Sequence, residues 1–225
     1  VKHFAVNNQE TRRLDVDVDV SERALREIYL PGFEAAVRRG KAKGIMGAYN
    51  KLHGTHCCHH DELLNGILRG EWGFDGITVS DWGGVHDTKE ALMNGLDMEM
   101  SVTNDFDAYY MAEPLLKMIE SGEVDRKTAL AKIDEKVRHI LNVMNRLHML
   151  DGERSAGGYN DYNDKAALRQ TARESVVLLK NDGNLLPLDR KKIRKLLVVG
   201  ENANRQHAPG GGSAEIKALY EITPI

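Results

Sequence analysis

Short apolar runs that end in polar residues, each set off by a helical pattern, constrain this chain more than any other feature. Gly44-Ile45-Met46-Gly47-Ala48-Tyr49-Asn50 follows an amphipathic stretch from Glu22 to Arg38. Pro31 interrupts that stretch and starts a second short helix, since proline is tolerated at a first helical position. Gly76-Ile77-Thr78-Val79-Ser80-Asp81 follows a helical pattern over residues 61–72, and Leu96-Asp97-Met98-Glu99-Met100 follows another over 88–94. Strands alternating with helices imply a parallel sheet covered on both faces. The runs finish on Tyr49-Asn50, Ser80-Asp81 and Glu99, and in a (β/α)8 TIM barrel the site lies at such C-terminal strand ends.

Two longer helical patterns come next. Ala108, Met111, Ala112, Leu115, Leu116 and Ile119 form one buried stripe, in which Pro114 forces a kink or a restart. Asp125 can cap the following helix, with the stripe Ile133, Val137, Ile140, Leu141, Met144 and His148. Residues 151–163 shift to Gly, Ser, Asn, Asp and Tyr and read as a linker. Asp164 can then cap a helix reaching Leu179, followed by a turn at Asn181-Asp182-Gly183 and a strand Lys195-Leu196-Leu197-Val198-Val199-Gly200. A barrel needs roughly 250 residues, and about 150 precede the linker. The expected fold class is therefore α/β: the C-terminal half of a TIM barrel over 1–150, then the start of a second α/β domain over 164–225. The first residues, Val1-Lys2-His3-Phe4, and the last, Glu221 to Ile225, read as cuts through a longer polypeptide.

Charge and composition remove some function classes. The 31 basic and 34 acidic residues give a net charge of −3, so neither nucleic acid nor an anionic membrane is favoured as a partner. The longest apolar runs are far short of a membrane span. Cys57 and Cys58 are adjacent and offer no intrachain disulfide framework, which leaves the compartment open.

Asp81 is the first candidate for chemistry. A carboxylate at the mouth of a barrel strand beside Trp82 suits attack on a sugar, with the indole stacking on the ring. The same residue could instead cap a helix beginning near Gly83, and spacing alone does not choose between the two.

Longer motifs do. Gly73-Phe74-Asp75-Gly76-Ile77-Thr78-Val79-Ser80-Asp81-Trp82, with Ala91 and Gly95-Leu96-Asp97-Met98-Glu99-Met100, resembles the signature of glycoside hydrolase family 3. Lys2 to Glu10, Tyr49-Asn50-Lys51 and Glu174 to Gly183 agree with that family in order and spacing, the last resembling the start of its second domain, an α/β sandwich. The resemblance implies that Asp81 is the nucleophile and that Lys2 and His3 bind sugar hydroxyls. It also places Arg13, Tyr49 and Met46 around the pocket and Trp82 beside the sugar. Lysine and arginine donate to hydroxyls without taking a proton, which fixes ring orientation.

Retaining hydrolysis also needs a general acid, a carboxyl about 5 Å from the nucleophile. In most β-glucosidases of the family it is a glutamate of the second domain. No motif over 164–225 identifies it, so it is expected from the remainder of the polypeptide. Glu99 reads instead as a structural partner beneath the site. The family's β-N-acetylglucosaminidases use an Asp-Ser-His type loop; Glu10 to Val20 contains no histidine, which favours β-glucosidase, with β-xylosidase behind it. The implied substrate is a β-linked oligosaccharide or glucoside, and no cofactor or metal is called for.

Three further signals are set aside. His53, His56, Cys57, Cys58, His59 and His60 look metal-like, but neighbouring side chains on one loop do not easily converge on an ion, and the run reads as a surface loop near the sugar entrance. Asp15, Asp17 and Asp19 alternate with valines, as in a half-buried edge strand. Val199-Gly200 and Gly210-Gly211-Gly212-Ser213 lack a nucleotide fingerprint and read as a flexible loop. The rival to an enzyme is a non-catalytic sugar- or nucleotide-binding module that uses this glycine loop.

Overall fold

The structure is a computed structural model, and it describes residues 1–153, 157–158, 162–206, 212, 215, 218 and 220–225. The chain divides into two compact units, Val1–Ala156 and Gly157–Ile225.

The first unit is α/β and is organised by parallel pairing. Strand β2 (Gly44–Met46) pairs with β5 (Ile77–Val79) in the register Gly44↔Ile77, Ile45↔Thr78, Met46↔Val79. On one side Phe4 bridges Gly47 in parallel, its N–H donating to the Met46 carbonyl at 2.8 Å. On the other side Val79 bridges Met98 in parallel, and Ser80 N–H donates to the Met98 carbonyl at 3.0 Å. Four parallel positions thus follow one another in space as they do along the chain, with helices in the connections, as successive βα repeats require. The run expected over 96–100 is extended but joins the sheet at the single bridge of Met98.

A second, small sheet has the order β1–β3–β4. Strand β1 (Asp17–Val18) runs parallel to β3 (Lys51–Leu52), and a tight turn returns the chain to β4 (Thr55–His56). His53 (φ 49°) and Gly54 (φ 91°) both have positive φ in that turn, the conformation that two-residue hairpins demand. Asp17 accepts the Gly54 N–H at 2.9 Å, so one aspartate of the alternating trio fixes a turn while its neighbours point to solvent.

Helices cover the strands. A short α1 (Glu22–Ala24) continues through a wider π-type turn, Leu25–Tyr29, and α2 (Pro31–Arg38) begins on Pro31. The π-type helix Glu62–Glu71 turns Leu63, Leu64, Ile67 and Leu68 into the core. Phe4 is clamped between Phe33 of α2, at 5.0 Å edge-on, and Trp72, at 5.8 Å between ring centroids. Helix α3 (Thr88–Met93) starts on an Asp87 cap. The pattern over 108–119 resolves as a restart: a turn at Phe106–Ala108, then α4 (Glu113–Glu120) with Pro114 in its first turn. Helix α5 (Arg126–Arg146) begins on Asp125, whose carboxylate accepts the Thr128 N–H at 2.9 Å.

The buried face of α5 differs from the expected stripe. Ala129, Lys136 and Val143 are buried, whereas Val137, Leu141 and His148 are exposed. Polar anchors set the rotation: Lys136 Nζ donates to the Ala91 and Leu96 carbonyls, and His139 Nδ1 lies 2.8 Å from Asp97 Oδ1. A buried ammonium without partners would cost more than a few exposed methyl groups.

In the second unit, α6 (Tyr162–Glu174) begins two residues before Asp164, which therefore sits in its first turn rather than at its cap. It ends at Glu174 and not near Leu179. The Ser175 hydroxyl bonds back to the Thr171 carbonyl at 2.7 Å, and Val176 to Leu179 are exposed. The turn at Asn181-Asp182-Gly183 forms, with Gly183 at φ 73° and the Asn181 side chain bonding both ends of Leu186. The expected strand over 195–200 does not form. A strand needs a partner for its backbone groups, none of the described residues pairs with it, and Leu197 is 85% exposed. Of the glycine loop, Gly210, Gly211 and Ser213 lie outside the described residues, as do 154–156 and 159–161 of the expected linker.

One buried carboxylate joins the elements of the first unit. Asp97 Oδ2 accepts Arg69 Nη2 from the 62–71 helix at 2.7 Å and the Thr78 N–H of β5 at 2.7 Å. The Thr78 hydroxyl donates to the Gly95 carbonyl at 2.6 Å and accepts the Asp97 N–H at 3.0 Å. Replacing Arg69 with Met leaves this carboxylate short of its cation, and the expected loss of stability is about 3 kcal/mol. Thermal or urea melts against wild type check it.

Candidate active site

Asp81 follows β5 by two residues and leaves the sheet at its C-terminal end. It is 7% exposed. Its Oδ1 accepts the Trp82 N–H at 2.8 Å, and its Oδ2 lies 3.4 Å from His3 Nε2. The turn Asp81-Trp82-Gly83-Gly84 closes through the Gly84 N–H on the Asp81 carbonyl at 3.0 Å, with Gly83 at φ 68°. The helix-cap alternative falls here: no helix starts at Gly83, and α3 takes its cap from Asp87.

The segment after β2 supplies a second wall. Burial raises the Tyr49 phenol above its ordinary pKa, and the charge of Asp81 and a hydrogen bond to it push the same way, against Arg13. Arg13 lies over the Tyr49 ring, 4.9 Å from its centroid, and Nη1 pairs with Glu10 at 2.8 Å. His3 and Tyr49 therefore reach Asp81 from two separate segments, and Arg13 backs Tyr49 from a third. A neutral phenol donates to the carboxylate without withdrawing its charge, while the guanidinium supplies positive potential one layer further out.

Met46 is half-buried on β2 opposite Val79. Lys2 is exposed and makes no hydrogen bond or ion pair among the described residues. Trp82 is 48% exposed and, with Glu99, Met100, Val102, Phe106 and Tyr109, lines a cleft of about 530 Å³. Glu99 accepts the N–H groups of Tyr110 at 3.2 Å and Met111 at 2.8 Å. Burial raises its pKa against those two bonds.

His53 is exposed in its turn, but the rest of the His–Cys run is not a surface loop. His56 and Cys57 to His60 are buried, because they turn inward beneath the segments that carry Tyr49 and Asp81. His56 Nδ1 contacts the Tyr49 carbonyl at 3.0 Å, and its ring stacks on His86 at 3.8 Å between centroids. His59 Nδ1 lies 2.7 Å from Glu90 Oε2. Among the described residues, the one trio of side chains whose ligand atoms come within 4.8 Å of one another is His148, Asp151 and Glu153, all exposed; the His–Cys run forms no such group.

Sequence reasoning missed two parts of this region. The Asp97–Arg69–Thr78 network, which holds β5 from behind, carried one signal: a threonine in the middle of an otherwise apolar strand. The packing of Cys58 against the Asp81 turn carried none, since it joins residues distant in the chain.

Residues 1–143 match the glycosyl hydrolase family 3 N-terminal domain and residues 176–225 its C-terminal domain. The chain belongs to glycosyl hydrolase family 3. It is 45% identical to the β-glucosidase BoGH3A of Bacteroides ovatus, a match spanning the whole chain and 31% of that protein. It is 42% identical to the probable β-glucosidase I of Aspergillus terreus, covering 26% of it. The structure resembles the β-glucosidase of Kluyveromyces marxianus solved in complex with glucose, with a TM-score of 0.79 and 35% identity over 99% of this chain and 26% of that one. The chain thus spans about a third or less of the length of these relatives.

Burial, followed by the charge of His56, pushes the His59 imidazole down to about 4. The folded state therefore keeps His59 neutral where the unfolded chain, with a pKa of 6.5, takes up a proton. The stabilisation is complete above about pH 6.5 and is lost as pH falls towards 4. Glu90, Asp87, His56 and His60 face the same ring, so the comparison has to isolate it. His59→Gln should flatten the fall in melting temperature between pH 6.5 and 4 relative to wild type, as read by thermal melts across that range.

Proposed function

We propose that this chain carries the nucleophile side of a retaining, exo-acting β-glucosidase that removes terminal non-reducing β-D-glucosyl residues. One observation carries the reading: a buried carboxylate at the C-terminal end of a parallel strand, faced by His3 and Tyr49 and held by the Trp82 N–H. An Asp81 oxygen attacks the anomeric carbon, the bond from that carbon to the leaving oxygen breaks, and a glycosyl ester forms. A general acid from the remainder of the polypeptide protonates the leaving oxygen. It then takes a proton from water as the water cleaves the ester. His3 and Lys2 bind the glucosyl hydroxyls and Arg13 holds Tyr49 in place. Met46 lines the pocket, and the exposed Trp82 ring flanks the sugar.

The same reading takes the four parallel positions Phe4, β2, β5 and Met98 as the later half of a TIM barrel. Residues 164–225 are then the beginning of an α/β sandwich domain and 151–163 the connection between the two. Names of relatives support the substrate class: those quoted are β-glucosidases.

In the full-length polypeptide, Asp81→Ala should lower p-nitrophenyl β-glucoside hydrolysis by about 10⁴-fold or more. Added azide should restore turnover and yield the α-glucosyl azide, because the small nucleophile enters from the face that Asp81 has vacated. Undiminished hydrolysis by Asp81→Ala would sink the assignment.

A further inference from the structure

The Asp81 turn rests on a sulfur atom. Cys58 is fully buried and donates its thiol to the Ala48 carbonyl at 3.3 Å. Two glycines close over it. A methyl group on Gly84 would sit 2.8 Å from Cys58 Sγ, and one on Gly47 would sit 2.9 Å from Sγ and 2.8 Å from the Cys58 Cα. These separations are shorter than real side chains tolerate, so Gly84 is kept bare for the thiol and Gly47 for both the thiol and the Cys58 backbone. Gly84 is the last residue of the Asp81 turn, bonded to the Asp81 carbonyl. Gly47 and Ala48 continue β2 towards Tyr49. The Asp81 amide is also directed at the sulfur, a small pull against the burial that pushes this thiol up to about 12. Cys58 therefore stays a neutral, well-defined volume between the segments that carry Tyr49 and Asp81.

We propose that Cys58 is a positioning residue for the nucleophile: its sulfur sets the height of the Asp81–Gly84 turn over β2 and so aims the carboxylate. Cys58 Sγ is the atom nearest to a methyl group placed on Gly84 and is the second nearest for Gly47. The inference rests on the reading of Asp81 as nucleophile. It concerns rate because a carboxylate displaced by a fraction of an ångström loses its line to the anomeric carbon while the sugar still binds.

The experiment is a rescue in the full-length polypeptide. It is read by the rate at which a 2-deoxy-2-fluoroglucosyl fluoride labels the enzyme, together with kcat, KM and melting temperature. Gly84→Ala drives a methyl into the sulfur and should slow labelling about tenfold or more, with KM little changed. Cys58→Ala removes the obstacle, so Gly84→Ala/Cys58→Ala should label several-fold faster than Gly84→Ala alone. Gly47→Ala/Cys58→Ala should stay slow, because that clash is with the Cα that alanine retains. Cys58→Ala alone should label more slowly than wild type, with Cys58→Ser between the two, because its hydroxyl keeps a donor for Ala48 but fills less of the space than sulfur.

A double mutant no faster than Gly84→Ala would overturn the proposal. So would Cys58→Ala and Cys58→Ser that both label at the wild-type rate and lose only melting temperature. If Gly84→Ala does not fold, a double mutant that folds and labels supports the proposal, and if neither folds the Cys58→Ala and Cys58→Ser pair decides. Asp81→Ala separates the two levels: labelling that survives it removes the functional reading, whereas its loss without any rescue removes only the role of Cys58.

Discussion

The first unit depends on a carboxylate that has been taken out of water. Asp97 is buried, and a buried charge is tolerated only when its lone pairs are filled and a cation stands close. Its donors come from three elements: the guanidinium of the 62–71 helix, the backbone of β5 and the imidazole of α5. Each donor has a direction, so together they fix how both helices are turned relative to the strand. Lys136 extends the same logic one helical turn away. It gives its ammonium to two carbonyls, and burial brings its pKa down to about 8.

Fixing β5 in this way has an effect three residues further on. Thr78 is gripped through both its amide and its hydroxyl, so the strand cannot slide. A slip of one residue would turn every side chain to the opposite face, and Asp81 would be carried out of the group formed by His3 and Tyr49. The strand is thus held from behind by charge and hydrogen bonds and, at its exit, by the close packing of Cys58 under Gly84. Electrostatics fixes the register and steric contact sets the last increment of height, and the two are separable by substitution.

Some of this was legible in the residues alone. The strand–helix alternation follows from hydrophobic period, and it predicts β2, β5 and the helices around them because each turns its apolar positions towards the core. Caps at Asp87 and Asp125 follow from local side-chain-to-backbone bonds and need no tertiary context. The face that α5 buries could not be read the same way. The period marks Val137 and Leu141 as buried, yet the helix turns to satisfy Lys136 and His139, whose partners lie some forty residues away. The strand over 195–200 fails for the opposite reason: its pattern is strong, but pairing is a property of two segments and the described residues hold only one. His56 to His60 depart from the expectation that polar residues face water, because imidazole stacking and carbonyl contacts make their burial tolerable.

Trp82 gives the site a property that neither half of the residue has alone. Its amide holds one oxygen of Asp81, while its ring faces the open cleft. Amide and indole are joined through Cα and Cβ, so the residue that anchors the carboxylate also forms part of the cleft wall. A substitution at this position that keeps the backbone changes the wall of the cleft while leaving the amide anchor of the carboxylate in place.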